Sequence, residues 1–295
     1  MISQEWKNLC DNTPVLLDGA WGSQLQQAGL PPGESPESWN LSHPDKVQAI
    51  GEAYVRAGSR IILTNTFGGN RFVLERHGLA DRIREVNLAG AELSRRAAGV
   101  KTLVFGSIGP SGKMIMMGDV TADELAEAFS DQALALHDGG VNGLVVETMS
   151  DLEEAVIATK AAVGTGLPVV SCMVYGSGPG HGHTMMGITP GQAAEALEQA
   201  GAWAVGANCG CGPDDFLPIC RQYREATGLP IWMKPNAGLP DVEDGKTVYR
   251  MAPDVFARSA RRLWQDGGAT FIGGCCGTNP AFIETLRLKN DSLFQ

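Results

Sequence analysis

The chain has 295 residues, 43% of them hydrophobic, and its 33 acidic against 23 basic side chains give a formal charge of −10. That balance argues against nucleic acid or an anionic membrane as the main partner, and no stretch of 18 apolar residues is present to span a bilayer. Seven cysteines, an odd number, read as thiols or metal ligands rather than a disulfide framework. The opening residues MISQEWKNLCDN lack the basic and then apolar pattern of a secretory signal, so a cytoplasmic protein is expected.

Apolar, β-branched runs alternate along the chain with segments of helical period. The first strand is predicted at Val15–Gly19 and carries Asp18; the second, Arg60–Thr66, ends on Asn65 and Thr66; the third covers Thr102–Ile108. A helix over Ala122–His137 follows, opened by Thr121 as its N-cap. The fourth strand, Gly143–Thr148, carries Glu147, and Ser150 is the expected cap of the next helix. The fifth, Pro168–Val174, runs into the Gly/Pro-rich loop VYGSGPGHGHTMMGITP, before a helix over Pro190–Gln199 capped by Thr189. The sixth, Ala204–Asn208, is followed at once by Cys209. The seventh, Pro230–Lys234, leads into a second long loop, PNAGLPDVEDGKTVYRMAP, with Asn236 at its start. The eighth, Thr270–Gly274, immediately precedes Cys275 and Cys276.

Strands this uniformly apolar point to a parallel sheet covered on both faces. Eight strand–helix alternations over this length, without a linker, predict one (β/α)8 barrel domain over residues 1–295. The alternative is a doubly wound open sheet, but no Gly-rich dinucleotide fingerprint follows the first strand. In a barrel, the unusual polar residues at the strand ends all meet at the C-terminal rim, where such folds carry their chemistry.

Three cysteines then converge: Cys209 from the sixth strand, Cys275 and Cys276 from the eighth. Two adjacent cysteines make a strained disulfide, and the glycines around them offer nothing to pack against. Three thiolates suit zinc and leave its fourth tetrahedral position free for a substrate thiol, which would lose its proton on binding. Packing as small hydrophobes is the other reading of these thiols. Cys211 stays open as a fourth ligand that would close the site, and Cys10, Cys172 and Cys220 read as packing residues.

LDGAWGSQLQ, TNTFGGNRF, GSIGPSGK, VVETMSDLEEA, TMMGITP, GANCGCGP, KPNAGLP and GGCCGTNP, spanning Leu17 to Pro280, resemble the homocysteine S-methyltransferase family. GSIGPSGK and PNAGLP are most similar to the homocysteine-binding module of cobalamin-dependent methionine synthase. The resemblance implies a TIM barrel with zinc on Cys209, Cys275 and Cys276, where the catalysis takes place. It also implies that Asp18 and Glu147 hold the amino group of homocysteine, that the amides of Gly19 and Ala20 meet its carboxylate, and that Asn208 stands beside the substrate. Asn208 and Asn236 have a further expected task, hydrogen bonding that orders the metal loops. Two features depart from the family pattern: Trp21 replaces a smaller or flexible residue and would narrow the pocket, and His181 and His183 lie in a lengthened loop, where solvation is the plain reading of the pair.

The expected reaction is methylation of a small thiol to a thioether, as in methionine biosynthesis. The donor would be a methyl-corrinoid or a methyltetrahydrofolate-derived methyl group, neither held by this chain. A separate corrinoid protein is then the expected partner. A betaine or sulfonium donor would need aromatic faces, for which Trp21 and Trp39 are best placed and Trp203 and Trp232 less so. Two other classes compete. A non-catalytic zinc barrel, acting as scaffold or regulator, requires Cys211 or His183 to close the metal site. A barrel aldolase would use Lys234.

Overall fold

The computed structural model describes residues 14–243 and 246–288, together with Trp6, Leu9 and Cys10. Most of the N-terminal stretch on which the secretory-signal reading rests therefore lies outside the described residues. In chain order the elements begin β1 (Val15–Leu16), α1 (Gly22–Gln27), α2 (Trp39–Ser42), α3 (Pro44–Ala57), β2 (Ile61–Leu63), α4 (Arg71–Glu75) and α5 (Ile83–Ala98). They continue β3 (Leu103–Ile108), α6 (Ala122–Asp138), β4 (Gly143–Met149), α7 (Leu152–Val163), β5 (Val169–Met173), α8 (Pro190–Gln199) and β6 (Ala204–Asn208). The last are α9 (Pro213–Ala226), β7 (Ile231–Lys234), β8 (Asp241–Glu243), β9 (Lys246–Val248), α10 (Pro253–Gln265), β10 (Phe271–Ile272) and α11 (Pro280–Leu288).

Eight of the strands form one parallel sheet in the order β1-β10-β7-β6-β5-β4-β3-β2. The last gap, between β1 and β2, is crossed by the Arg60 amide donating to the Leu16 carbonyl at 2.8 Å and the Ser59 hydroxyl donating to Leu17 O at 3.1 Å. The fold is thus the α/β TIM barrel the alternation predicted. Strand limits agree to within a few residues, the sixth and the α8 helix without any shift.

Two local readings change. Asp151, not Ser150, caps α7: its carboxylate accepts from the Glu153 amide at 2.8 Å, and the shorter serine one residue earlier lies outside the capping position. The long loop after β7 is not wholly irregular, because it folds back as the antiparallel pair β8–β9. Thr121 and Thr189 do cap α6 and α8, each in a reciprocal pair with the side chain three residues on.

The core has two parts. A large apolar layer lies between strands and helices, and a smaller one fills the barrel. The inner layer contains an aromatic cluster: Trp232 packs against Phe105 and Phe271, with ring centroids 5.9 and 5.2 Å apart, and Trp203 and Trp6 join it beside aliphatic residues such as Val145 and Leu63. Filling the lower barrel this way leaves side chains that continue the same inward register, two residues further along each strand, at the top. Ser107 follows Phe105, Glu147 follows Val145, Lys234 follows Trp232, and Asn208 lies four beyond Ala204. Cys275 lies four beyond Phe271.

Candidate active site

At this end of the barrel lies a cavity of about 250 Å³, lined among others by Gly19, Ala20, Trp21, Phe67, Ser107, Glu147, Thr148, Lys234 and all three convergent cysteines. It falls a little below the ~300–1,000 Å³ range of drug-sized ligand sites and is scaled for a small metabolite.

The sulfurs of Cys209, Cys275 and Cys276 lie within 4.8 Å of one another, and those of Cys209 and Cys276 are 3.8 Å apart. Two thiolates bound tetrahedrally at a zinc–sulfur distance of about 2.3 Å are separated by about 3.8 Å, so the spacing fits such an ion. The backbone is bent to achieve this. Cys209 has φ +63°, a left-handed conformation uncommon outside glycine, and Gly210 follows at φ +78°, where a Cβ would collide with the Tyr175 carbonyl. Hydrogen bonds from Cys275 and Cys276 hold the Cys209 thiol well below its ordinary range, while the same sharing pushes Cys275 up. Three thiolates this close together repel one another, and a divalent metal would supply the charge that balances them.

Asparagines brace the sulfurs. Asn236 hydrogen-bonds Cys209 and donates to the Gly210 carbonyl at 3.3 Å. Asn208 is buried, with its Nδ2 3.9 Å from the Cys275 sulfur. The same Nδ2 donates to Thr148 Oγ1 at 2.7 Å and to Glu147 Oε2 at 3.2 Å, while Asn208 Oδ1 accepts from the Thr148 amide at 2.7 Å. Thr148 is itself left-handed, at φ +62°. One side chain therefore holds two strained strand ends, and strain of this kind collects where geometry is functional.

Glu147 is buried on the cavity wall. Its Oε1 accepts from the Ser107 hydroxyl at 2.5 Å, and burial raises its carboxyl above the ordinary range against the opposing pull of Lys234 and Ser107. With two acceptor positions filled of about four, it can receive further donors.

Asp18, expected beside the same ligand, is placed differently. It is 0% exposed and lies behind the lining, with Oδ1 paired to Lys234 Nζ at 2.5 Å and Oδ2 accepting from Trp21 Nε1 and the Leu63 amide, both at 2.8 Å. Lys234 is 2% exposed, and although burial opposes its charge, Asp18 and Glu147 together raise its pKa. A Schiff-base lysine needs the opposite shift, so the aldolase reading loses its nucleophile. Gly19 and Ala20 do line the cavity, with the Ala20 amide donating to Thr278 Oγ1 at 3.2 Å.

Cys211 does not join the three sulfurs; it groups with His181 and Asp215. Cys172 and Cys220 are buried packing residues, and Cys10 packs partly buried against the inner core. Trp21 lines the cavity, whereas Trp39, Trp203 and Trp232 are core residues away from it. Sequence reasoning missed Phe67, Ser107, Thr148 and Glu37, which also line the cavity. Inward parity from Phe105 would have found Ser107. The buried Glu37, which accepts from the Gly68 amide at 2.6 Å, comes from a loop with no periodic signal.

A family model described as homocysteine S-methyltransferase matches residues 15–289. The chain belongs to the homocysteine S-methyltransferase family. It is accordingly an S-methyltransferase, with a family fold suited to thiol methylation. It is 32% identical over 287 residues to a methionine synthase of Mycobacterium tuberculosis, covering 91% of this chain and 24% of the relative. A methionine synthase of Mycobacterium leprae is 31% identical over 284 residues, with the same coverage. The chain thus spans about a quarter of the length of these curated relatives. Among solved structures, the metallated homocysteine methyltransferase MmuM of Escherichia coli superposes with a TM-score of 0.78 at 22% identity, over 96% of this chain and 99% of that one. That likeness bears on the fold.

Proposed function

We propose that this S-methyltransferase is a zinc enzyme that methylates homocysteine to methionine. The observation that carries the reading is one small cavity bounded both by three convergent thiols and, on its wall, by a buried carboxylate with acceptor capacity to spare. Cys209, Cys275 and Cys276 would hold the zinc, which supplies deprotonation of the substrate thiol at neutral pH. Glu147 receives the substrate ammonium through charge-assisted hydrogen bonds. Because Lys234 already neutralises Asp18, Glu147 is the one of the two expected carboxylates left for that ammonium, and Asp18 contributes by fixing Lys234. With the Ala20 amide already donated to Thr278, the Gly19 amide is the backbone donor that meets the substrate carboxylate.

Held in this way, the substrate sulfur attacks the donor methyl carbon in line: a sulfur–carbon bond forms as the donor–carbon bond breaks. Trp21 and Phe67 shield the reacting atoms from water, and positioning supplies much of the acceleration. The donor in this reading is a methyl-corrinoid protein or a methyltetrahydrofolate-derived methyl group arriving from outside the barrel. What supports it over an onium compound is the sparse aromatic lining, Trp21 and Phe67 among the described residues. Reduced thiolates at the centre also fit a cytoplasmic setting.

The deciding experiment reads zinc stoichiometry and the X-ray absorption sulfur count of the purified chain, with and without homocysteine. A count rising from three to four on adding homocysteine is expected. A count already at four and indifferent to homocysteine would replace this reading with that of a structural zinc in a scaffold protein.

A further inference from the structure

A second set of metal-binding donors meets at the same rim, apart from the three sulfurs. The loop between β5 and α8 is pinned at its base by Ser177 and His183, whose backbones bridge in antiparallel fashion, with the His183 amide donating to the Ser177 carbonyl at 3.1 Å. Between them the chain turns tightly and brings the His181 imidazole against the start of α9. There His181 Nδ1 lies 3.5 Å from Asp215 Oδ1. That is well beyond the ~2.7–2.9 Å of a formed charge-assisted bond, and Nδ1 is buried without a hydrogen-bond partner. Cys211, fully buried just ahead of α9, completes the group: one ligand atom from each of the three residues lies within 4.8 Å of the other two.

A buried imidazole nitrogen without a partner, a carboxylate just out of reach and a buried thiol, gathered within 4.8 Å of one another, are poorly explained as packing. Each is under-used by its neighbours, and each is a good ligand for the same class of ion. We propose that His181, Cys211 and Asp215 form a second metal site, selective for a borderline-soft divalent cation of the zinc type. An imidazole, a thiolate and a carboxylate match that class, and water fills the remaining position. On binding, the Cys211 thiol proton passes to solvent, and two anionic ligands balance the ion's charge. The mixed set holds its ion less tightly than three thiolates do. An ion here ties the β5–α8 loop to α9, so the site is a metal-dependent clasp at the cavity rim.

The test is titration of the reduced, metal-free chain with Zn²⁺, and in parallel with cadmium-113 followed by NMR. The wild type is expected to take up two equivalents, the second weaker, and to show two cadmium resonances, the sulfur-rich one far downfield. His181→Ala and Asp215→Asn, both partly exposed positions that tolerate substitution, should each lose the second equivalent and the upfield resonance while keeping the first. Cys275→Ala should do the reverse, which separates this site from the thiolate centre. A wild-type chain that binds a single equivalent, or a second equivalent that survives His181→Ala, overturns the proposal.

Discussion

Asp18 and Lys234 stand 216 residues apart in sequence and meet at 2.5 Å in the interior, both essentially inaccessible to water. Breaking a buried pair leaves an uncompensated charge, which costs far more than the intact pair contributes. Asp18→Asn should therefore destabilise the barrel by about 3–5 kcal/mol in guanidinium unfolding. Combining it with Lys234→Met should recover most of that loss. Equal stability of the single and double variants would show that the two groups are not coupled.

In the proposed function, Glu147 is the residue on which recognition of an amino-acid substrate turns. Removing a charge-assisted hydrogen bond costs about 1.5–3 kcal/mol, so Glu147→Gln should lower kcat/KM for homocysteine by roughly 10–100-fold. The loss should fall mainly in KM. With 4-mercaptobutyrate, which lacks the amino group, wild type and variant should be nearly equal. A variant that discriminates the two thiols as well as the wild type does would move the ammonium site elsewhere.

The same residue sets a pH dependence. Burial raises the Glu147 carboxyl, so folding favours its protonated form. The stability this gives is fully present below the unfolded value, about 4.3, and is lost as pH rises through the raised folded one. At neutral pH the ionised group is a cost, and Glu147→Gln should be more stable than wild type there while binding substrate less well. Unfolding midpoints from acid to neutral pH should converge at the acid end.

Cys275→Ala should lose zinc and methyl transfer together while circular dichroism still reports a folded barrel. Removal of metal from the wild type by a chelator should abolish transfer, with activity returning on adding Zn²⁺. The stripped chain should also be oxidation-prone in a particular way. Cys209 and Cys276 sulfurs are already 3.8 Å apart, whereas a bond between neighbours Cys275 and Cys276 is strained. Peptide mapping after mild oxidation should recover the long-range crosslink. Full activity with zinc retained in Cys275→Ala would remove the ligand assignment.

Much of the site was legible because a barrel strand has a period of two. Once Phe105, Val145 and Trp232 are known to face inward, Ser107, Glu147 and Lys234 must face the cavity, and the polar residues at strand ends stand out from apolar runs. Asp18 shows where that logic ends. It lies beyond the short β1, off the parity of its strand, and its partner comes from β7; no local pattern predicts a pairing across 216 residues. Glu37 and Phe67 arrive on loops, whose paths depend on tertiary contacts rather than periodicity. The cap of α7 moved by one residue because Ser150 and Asp151 are both good caps and only the backbone chooses between them.

The aromatic floor built from Phe105, Trp232, Phe271 and Trp203 has a kinetic consequence. It fills the barrel interior with packed side chains, so a molecule reaches the cavity from the rim and leaves by the rim. A small thiol seated at the bottom is trapped for as long as a methyl donor covers the opening. On the proposed reaction, acceptor would then bind before donor, and the methylated product would depart after the spent donor has withdrawn. On that reading traffic through the site would be last in, first out, an order set by the plugged end of the barrel rather than by any residue that touches substrate.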